Sequence, residues 1–265
     1  MKKIFYLILI SSFYCYSQNK SLNIIKVEYK DVRTYNNIIN IDNGLLLATN
    51  EYSYYNSSIL KKEKKSEIDN SELQIAIEND EHLSEIIVNR KTNILTERLF
   101  ESQFLKNKFD VIEDTPKFKW VITKDTKFIN KYLCKKATTE FRGRKYEVWY
   151  TEKIPVSIGP WKFNGLPGLI LVAEDKEGIY KWEAKSIRFP YDDKTNQLLK
   201  VVKDKPSYKK ISFKEYDKKF IDAIIEKIEI IKTRNSTRKF KANFEYSTEE
   251  SKEPINEWRT QTYFQ

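Results

Sequence analysis

The chain has 265 residues, 32% of them charged and 14% aromatic, and a formal net charge of +10. One histidine and two cysteines exclude a zinc or copper site built on several His or Cys ligands. The lysines are interleaved with glutamate and aspartate along the whole chain, which argues against a nucleic-acid face and leaves a solvated basic surface.

Lys2 and Lys3 followed by the apolar run Ile4 to Ile10 read as an export signal, with small residues at Cys15 and Ser17 placing cleavage after Ser17. Acylation of Cys15 is the competing reading, but Phe13 and Tyr14 stand where a lipidation motif needs small residues. Seven apolar residues fall far short of the ~20 that span a bilayer, and no later segment resembles a transmembrane helix. Residues 18–265 are then expected as one domain holding a single cysteine, Cys134, so no intramolecular disulfide can form. Its setting, Tyr132-Leu133-Cys134, suits a buried small hydrophobe.

The mature N-terminal part reads as strands. Ile25 to Tyr29 alternates apolar and polar residues, and Leu45 to Tyr54 forms a second run entered by the turn signal Asp42-Asn43-Gly44. Residues 56–82 are polar and are expected as a loop, with the lone His82 exposed within it. Strand character resumes at Ile86–Val88, Ile94-Leu95 and Leu99-Phe100. Phe118, Trp120 and Ile122 alternate on one predicted strand, and Lys124-Asp125-Thr126-Lys127 reads as a turn. Tyr132–Phe141 and Tyr146–Thr151 form a predicted hairpin across Arg142-Gly143-Arg144. Leu169–Ala173 and the alternating Tyr180, Trp182 and Ala184 then complete an antiparallel meander.

Ser212 and Glu215 make a capping box, S-x-x-E, that starts a helix. Tyr216, Phe220, Ile221, Ile224, Ile228 and Ile231 carry its apolar stripe to about Lys232. Beyond it a short strand around 240–244 and a loose tail over about 245–265 are expected. The fold class is mainly β: a curved antiparallel sheet or half-barrel with one long C-terminal covering helix.

Five of the six glycines and three of the seven prolines fall between Gly143 and Gly178. A chain so sparing of glycine is encoding one backbone path there, through Gly159-Pro160-Trp161 to Gly165-Leu166-Pro167-Gly168-Leu169-Ile170. Positive φ is expected at Gly168. Trp149, Tyr150, Trp161 and Phe163 bracket this insertion, either as a ligand or partner surface or, with Trp161 plugging the core, as structure. No catalytic, metal-binding or cofactor-binding motif appears: the proline in Gly165–Gly168 removes a donor that a phosphate cradle would need. Paired carboxylates for hydrolysis cannot be chosen from sequence among 38 acidic residues.

The run Gly165–Ile170 resembles the signature of the GLPGLI family of exported Bacteroidetes proteins. Phe141-Arg142-Gly143-Arg144, Val148-Trp149-Tyr150-Thr151, Ile154-Pro155 and Gly159-Pro160-Trp161 match its context, with Val148 where relatives carry alanine. The resemblance implies the periplasm or outer-membrane periphery of a Gram-negative bacterium and no particular activity. The meander with its helix is also similar in architecture to the half-barrel of lipoprotein carriers. The expectation is a non-enzymatic envelope protein that binds an apolar ligand or an outer-membrane partner. The alternatives are a carboxylate hydrolase or processing enzyme, and a scaffold accessory to a transporter.

Overall fold

The computed structural model describes residues 24–35, 38–64, 85–99, 105–192, 200, 207–235 and 251–254. The export signal, His82 and the strand expected at 240–244 lie outside them. Twelve strands run in chain order as β1 Ile24–Tyr35, β2 Ile38–Ala48, β3 Tyr52–Lys64, β4 Glu85–Asn89, β5 Ile94–Leu99 and β6 Phe109–Asp114. They continue as β7 Val121–Ile129, β8 Tyr132–Phe141, β9 Arg144–Thr151, β10 Leu169–Asp175, β11 Tyr180–Tyr191 and β12 Lys209–Ser212, and a helix, α1, follows at Phe213–Asn235.

All twelve belong to one open, curled sheet in the order β12-β6-β5-β4-β3-β2-β1-β11-β10-β9-β8-β7. Each pairing is antiparallel except β12 on β6, which is parallel and makes the sheet mixed. β6 and β7 are consecutive in the chain yet lie near opposite ends of the sheet. Residues 115–120 therefore cross from one end to the other.

Alternation decides which face is inside. Ile25, Val27 and Tyr29 of β1, Tyr146, Val148 and Tyr150 of β9, and Tyr180, Trp182 and Ala184 of β11 are all buried in one core cluster. Cys134 and Ala137 of β8 join it, fully buried, and burial raises the Cys134 thiol to about 11. α1 begins at the expected cap, where the Glu215 N–H donates to Ser212 Oγ at 3.1 Å. The helix lies against the β6/β12 end, beside a separate small core of Phe109, Val111 and Ile211 flanked by Phe213 and Tyr216. It covers that end and leaves the main core to other elements.

Several local expectations are corrected. Asp42-Asn43-Gly44 lies inside β2, and the hairpin turn falls at 49–51, where Thr49 Oγ1 accepts from the N–H groups of Glu51 and Tyr52 at 3.1 Å each. Gly44 is needed for space: a Cβ there would crowd Tyr55 Oη and Asp31 Oδ1. Residues 56–64, expected as loop, extend β3 and pair with β2 as far as Lys64↔Ile38. Lys124–Lys127 lies within β7, where its turn chemistry makes a bulge between Ile122 and Thr126 instead of reversing the chain. Phe118 and Trp120 precede that strand as part of the crossing segment. Residues 251–254, expected in a loose tail, are placed, with Glu253 buried.

Gly168 does not take positive φ; Gly165 does, at 93°, and so does Trp161, at 52°. What Gly168 supplies is close approach, because a Cβ there would collide with the Thr151 carbonyl oxygen and lie 2.6 Å from its carbon. Gly168→Ala should lower unfolding free energy by about 3 kcal/mol through backbone displacement. Gly178→Ala, at φ 73° in open space, should cost only about 1 kcal/mol. Equal losses in chemical denaturation would contradict the close-approach account.

Candidate functional site

The glycine-rich insertion between β9 and β10 folds back into the curl of the sheet. Ile158 and Asn164 form an isolated antiparallel bridge, and the Gly165 N–H donates to Ser157 Oγ at 2.9 Å, closing the loop on itself. The crossing segment then grips it: Trp120 Nε1 donates to Asn164 O at 2.7 Å, and Asn164 Nδ2 donates to Pro116 O at 3.0 Å. Positive φ at Trp161 is strained for a residue with a Cβ, and ring burial offsets it. The indole stacks on Trp182 with centroids 6.1 Å apart and planes 9° apart, and meets Phe163 edge-on at 5.1 Å. Phe118, Phe141, Tyr146 and Tyr180 extend this cluster across the concave face.

Between Trp161 and Phe163 the backbone sends Lys162 the other way, into a buried ionic network. Its Nζ lies 2.7 Å from Glu113 Oε1 on β6, 2.9 Å from Glu97 Oε2 on β5 and 3.1 Å from Glu253 Oε1. Arg142, in the β8–β9 turn, donates to Glu113 Oε2 at 2.6 Å and to Glu253 Oε1 at 2.9 Å. Burial by itself would lower the lysine; the carboxylates of Glu253, Glu97 and Glu113 overcome it and hold the ammonium well above its ordinary value. Burial likewise raises Glu253. These three convergent carboxylates are thus engaged in charge compensation.

The segment 251–254 is clamped at further points. Arg144 Nε and Nη2 donate to Ser251 O at 3.1 and 2.9 Å, and Tyr146 Oη donates to Lys252 O at 2.8 Å. Arg144 also pairs with Asp175 at 2.5 Å. On β1, Tyr29 Oη donates to Ile170 O at 2.7 Å, and Tyr55 Oη donates to Asp31 Oδ2. Burial pushes the Asp31 carboxyl up to about 6, against the lowering effect of that hydrogen bond and of Lys252.

Two features of this arrangement face outward. The first is a cavity of about 200 Å³ beside the loop, walled by Tyr55, Val88, Arg90, Thr115, Trp161 and Phe163 among others. The second is β7, the terminal strand of the sheet among the described residues. Val121 (64% exposed), Ile122 (50%) and Phe128 (72%) on that strand, with Leu133 (45%) on β8, are four of the six exposed large hydrophobics among the described residues. Phe128 and Leu133 are register partners and so share a face. A larger, shallower groove of about 860 Å³ beside α1 is lined by Lys106, Lys108, Lys209 and Lys219 with Asp222 and Glu226, and holds none of the exposed large hydrophobics.

Trp149, Tyr150, Trp161 and Phe163, read from sequence either as a ligand or partner surface or as structure, are all buried. Trp149 lies under the Lys127 ammonium, 3.9 Å from the ring centroid, and Tyr150 is in the main core. Trp161 and Phe163 reach the cavity wall, as do Gly159 and Asn164. Gly165, Leu166, Pro167, Gly168, Leu169 and Ile170 shape the loop's return into β10, with Leu166, Leu169 and Ile170 in the core. Sequence reasoning missed Lys162, Arg142, Glu97, Glu113 and Glu253. Its one usable signal was a lysine between two aromatics that both pack inward.

A family described as a protein of unknown function, Porph_ging, matches residues 140–172, from the end of β8 through the glycine-rich loop into β10. No curated protein matches the chain. Among solved structures, PNGF-II in the P21 space group aligns with a TM-score of 0.50 at 18% identity, covering 76% of this chain and 34% of that one. PNGF-II in the C2 space group gives the same TM-score, identity and coverage of this chain, with 33% of its own. The chain spans about a third of the length of those structures, and the likeness is one of fold.

Removing the central cation tests the network. Lys162→Met should lower unfolding free energy by about 3–5 kcal/mol at neutral pH, because it leaves Glu113 and Glu253 sharing Arg142 and leaves Glu97 with no ion pair among the described residues. A loss under about 1 kcal/mol in a denaturant titration would refute the network's structural role. Asp31 gives a pH test. A carboxyl raised from 3.8 to about 6 in the fold favours the neutral acid, so its stabilisation is complete below the unfolded value and is lost as pH rises through about 6. Unfolding titrations of wild type against Asp31→Asn should show wild type losing ~3 kcal/mol relative to the variant between pH 3.5 and 7. A constant difference would contradict this.

Proposed function

We propose that the chain is a non-enzymatic binding module of the bacterial envelope, exported as its Lys2-Lys3 and Ile4–Ile10 signal suggests, which docks an extended segment of a partner polypeptide along the free edge of β7. The observation that carries this reading is the concentration of exposed Val121, Ile122, Phe128 and Leu133 on that edge hairpin. A terminal strand offers a row of backbone N–H and C=O groups to an added strand, and side-chain contacts then supply specificity. Long edges with exposed apolar residues are otherwise selected against.

The charge around the edge favours one kind of occupant. Lys119, Lys124, Lys127 and Lys131 flank Asp125 along residues 118–131, so two copies meeting edge to edge would bring like charges together. An extended segment alternating apolar and acidic residues complements both features. The concave face, where a carrier would hold an acyl chain, is filled by the Trp161–Trp182 cluster, and the remaining ~200 Å³ is below the ~300–1,000 Å³ of ordinary ligand pockets. Of the two occupants expected from sequence, a partner polypeptide therefore fits better than an apolar ligand. The likeness to a third of a longer chain suits a unit that works beside further polypeptide, and the resemblance to the GLPGLI family supports the envelope setting. Among the described residues no helix is long and apolar enough to cross a membrane.

The test is a photo-crosslinking side chain at Phe128 in cells of the native host, with the exposed Lys185 of β11 as control position. A discrete adduct from position 128 alone, lost when Val121 and Ile122 are changed to lysine, is the expected result. No adduct, or the same adduct from both positions, would overturn the proposal. An adduct of twice the chain's own mass would assign the edge to a second copy instead.

A further inference from the structure

Several enclosed cations in this fold are paired with carboxylates, while Lys252 lies over the rings of Tyr180 and Trp182. Arg98 on β5 faces Asp110 at 2.9 Å and Glu85 at 3.9 Å, and Arg142, Arg144 and Lys162 have the partners described above. Arg90 departs from the pattern. It follows β4 in the turn to β5, where the Arg90 N–H donates to Glu51 O at 2.8 Å and Asn89 Oδ1 accepts from the N–H groups of Lys91 and Thr92. This fixed turn holds the Arg90 side chain half-buried at the cavity wall. The contact made by its guanidinium among the described residues is a long one, from Nη1 to Thr49 O at 3.4 Å, and it has no ion pair there. Burial lowers it from its ordinary value, with no carboxylate among the described residues to raise it.

The rest of the cavity suits a small amphipathic anion. Among the described residues Thr115 Oγ1 is buried without a hydrogen-bond partner, which is a cost unless something accepts from it. Asn93 and Ser157 add neutral polar groups, while Trp161, Phe163 and Val88 form an apolar wall. About 200 Å³ compares with the ~150 Å³ of an apolar cavity that accepts benzene. One ring or one branched alkyl group fits, together with a carboxylate.

We propose that this cavity is a binding site for a small organic monocarboxylate, its carboxylate paired with Arg90 and Thr115 and its apolar body against Trp161 and Phe163. The pairing is the fork-to-fork geometry that guanidinium and carboxylate favour. The anion would give Arg90 the carboxylate partner that Arg98, Arg142, Arg144 and Lys162 have within the fold. The glycine-rich loop supplies the aromatic wall of this site through Trp161 and Phe163. The site is distinct from the β7 edge and stands whether or not a partner docks there.

Isothermal titration calorimetry on the folded chain, lacking the export signal, tests it with benzoate, phenylacetate and isovalerate as probes. Benzamide serves as the neutral control and inorganic phosphate as the control for a bare anion. One-site binding of at least one carboxylate at sub-millimolar to millimolar Kd is expected. Arg90→Gln should weaken it about tenfold or more, as loss of a charge-assisted pair implies, and Arg90→Lys should restore part of it. Both variants should melt near wild type, because Arg90 holds no ion pair among the described residues. Heat-silent titrations with all three carboxylates up to 10 mM, equal affinity for benzamide, or binding unchanged in Arg90→Gln would overturn the assignment. Phosphate binding as tightly as the organic acids would overturn the amphipathic part and leave an inorganic anion site.

Discussion

The ammonium of Lys162, enclosed by Glu97, Glu113 and Glu253, holds the two ends of the sheet to each other. Glu97 and Glu113 come from β5 and β6, near one end of the strand order, while Lys162 and Arg142 come from the loop and turn at the other. A twisted open sheet has a hand but no preferred closure. Here closure is set by charges that are expensive to bury alone and are stable only when brought together. Geometry matters more than strength in such a network. Each carboxylate oxygen has one acceptable position, and those positions fix the curl, the crossing segment and residues 251–254 together.

The aromatic cluster supplies the apolar half of the same construction. Trp161 and Phe163 face the stack of Tyr180 and Trp182, while Lys162 between them faces the carboxylates. Alternation along this short stretch, in an otherwise irregular loop, lets three consecutive residues serve two environments. Close contact of Gly168 with the Thr151 carbonyl returns the chain from this loop to the sheet. Trp120 and Phe118 of the crossing segment then seal the loop from the outer side.

Filling the concave face redirects function to what remains accessible. A half-barrel with an empty interior is suited to carry a lipid, whereas one packed with Trp, Phe and an ionic network is a rigid platform. On such a platform the β7 edge, terminal among the described residues, and the cavity beside Arg90 are the two places to which binding is proposed. Rigidity also favours binding there, since little conformational freedom has to be lost when an occupant arrives.

Strand periodicity in β1, β9, β10 and β11, the capping box at Ser212, and the density of glycine around the loop were all legible in the sequence, because each depends on neighbours within a few residues. The mainly β class and the position of the single described helix followed from them. Where local signals misled, long-range pairing had overridden them. Asp42-Asn43-Gly44 was kept inside β2 by eleven residues of pairing with β1. Lys124–Lys127 became a bulge because β8 continues past it on the other side. The polar 56–64 became strand because β2 pairs along it. The site lay beyond local reading for the same reason. The carboxylates around Lys162 come from positions 97, 113 and 253, and nothing about a glutamate's neighbours in sequence says which lysine it will face. Sequence by itself determined the strands, the helix and the backbone freedom of the loop. Tertiary structure alone decided which charges would be buried together, which aromatics would be core, and which strand would stand at the edge of the described sheet, because those depend on distances set only when the sheet curls.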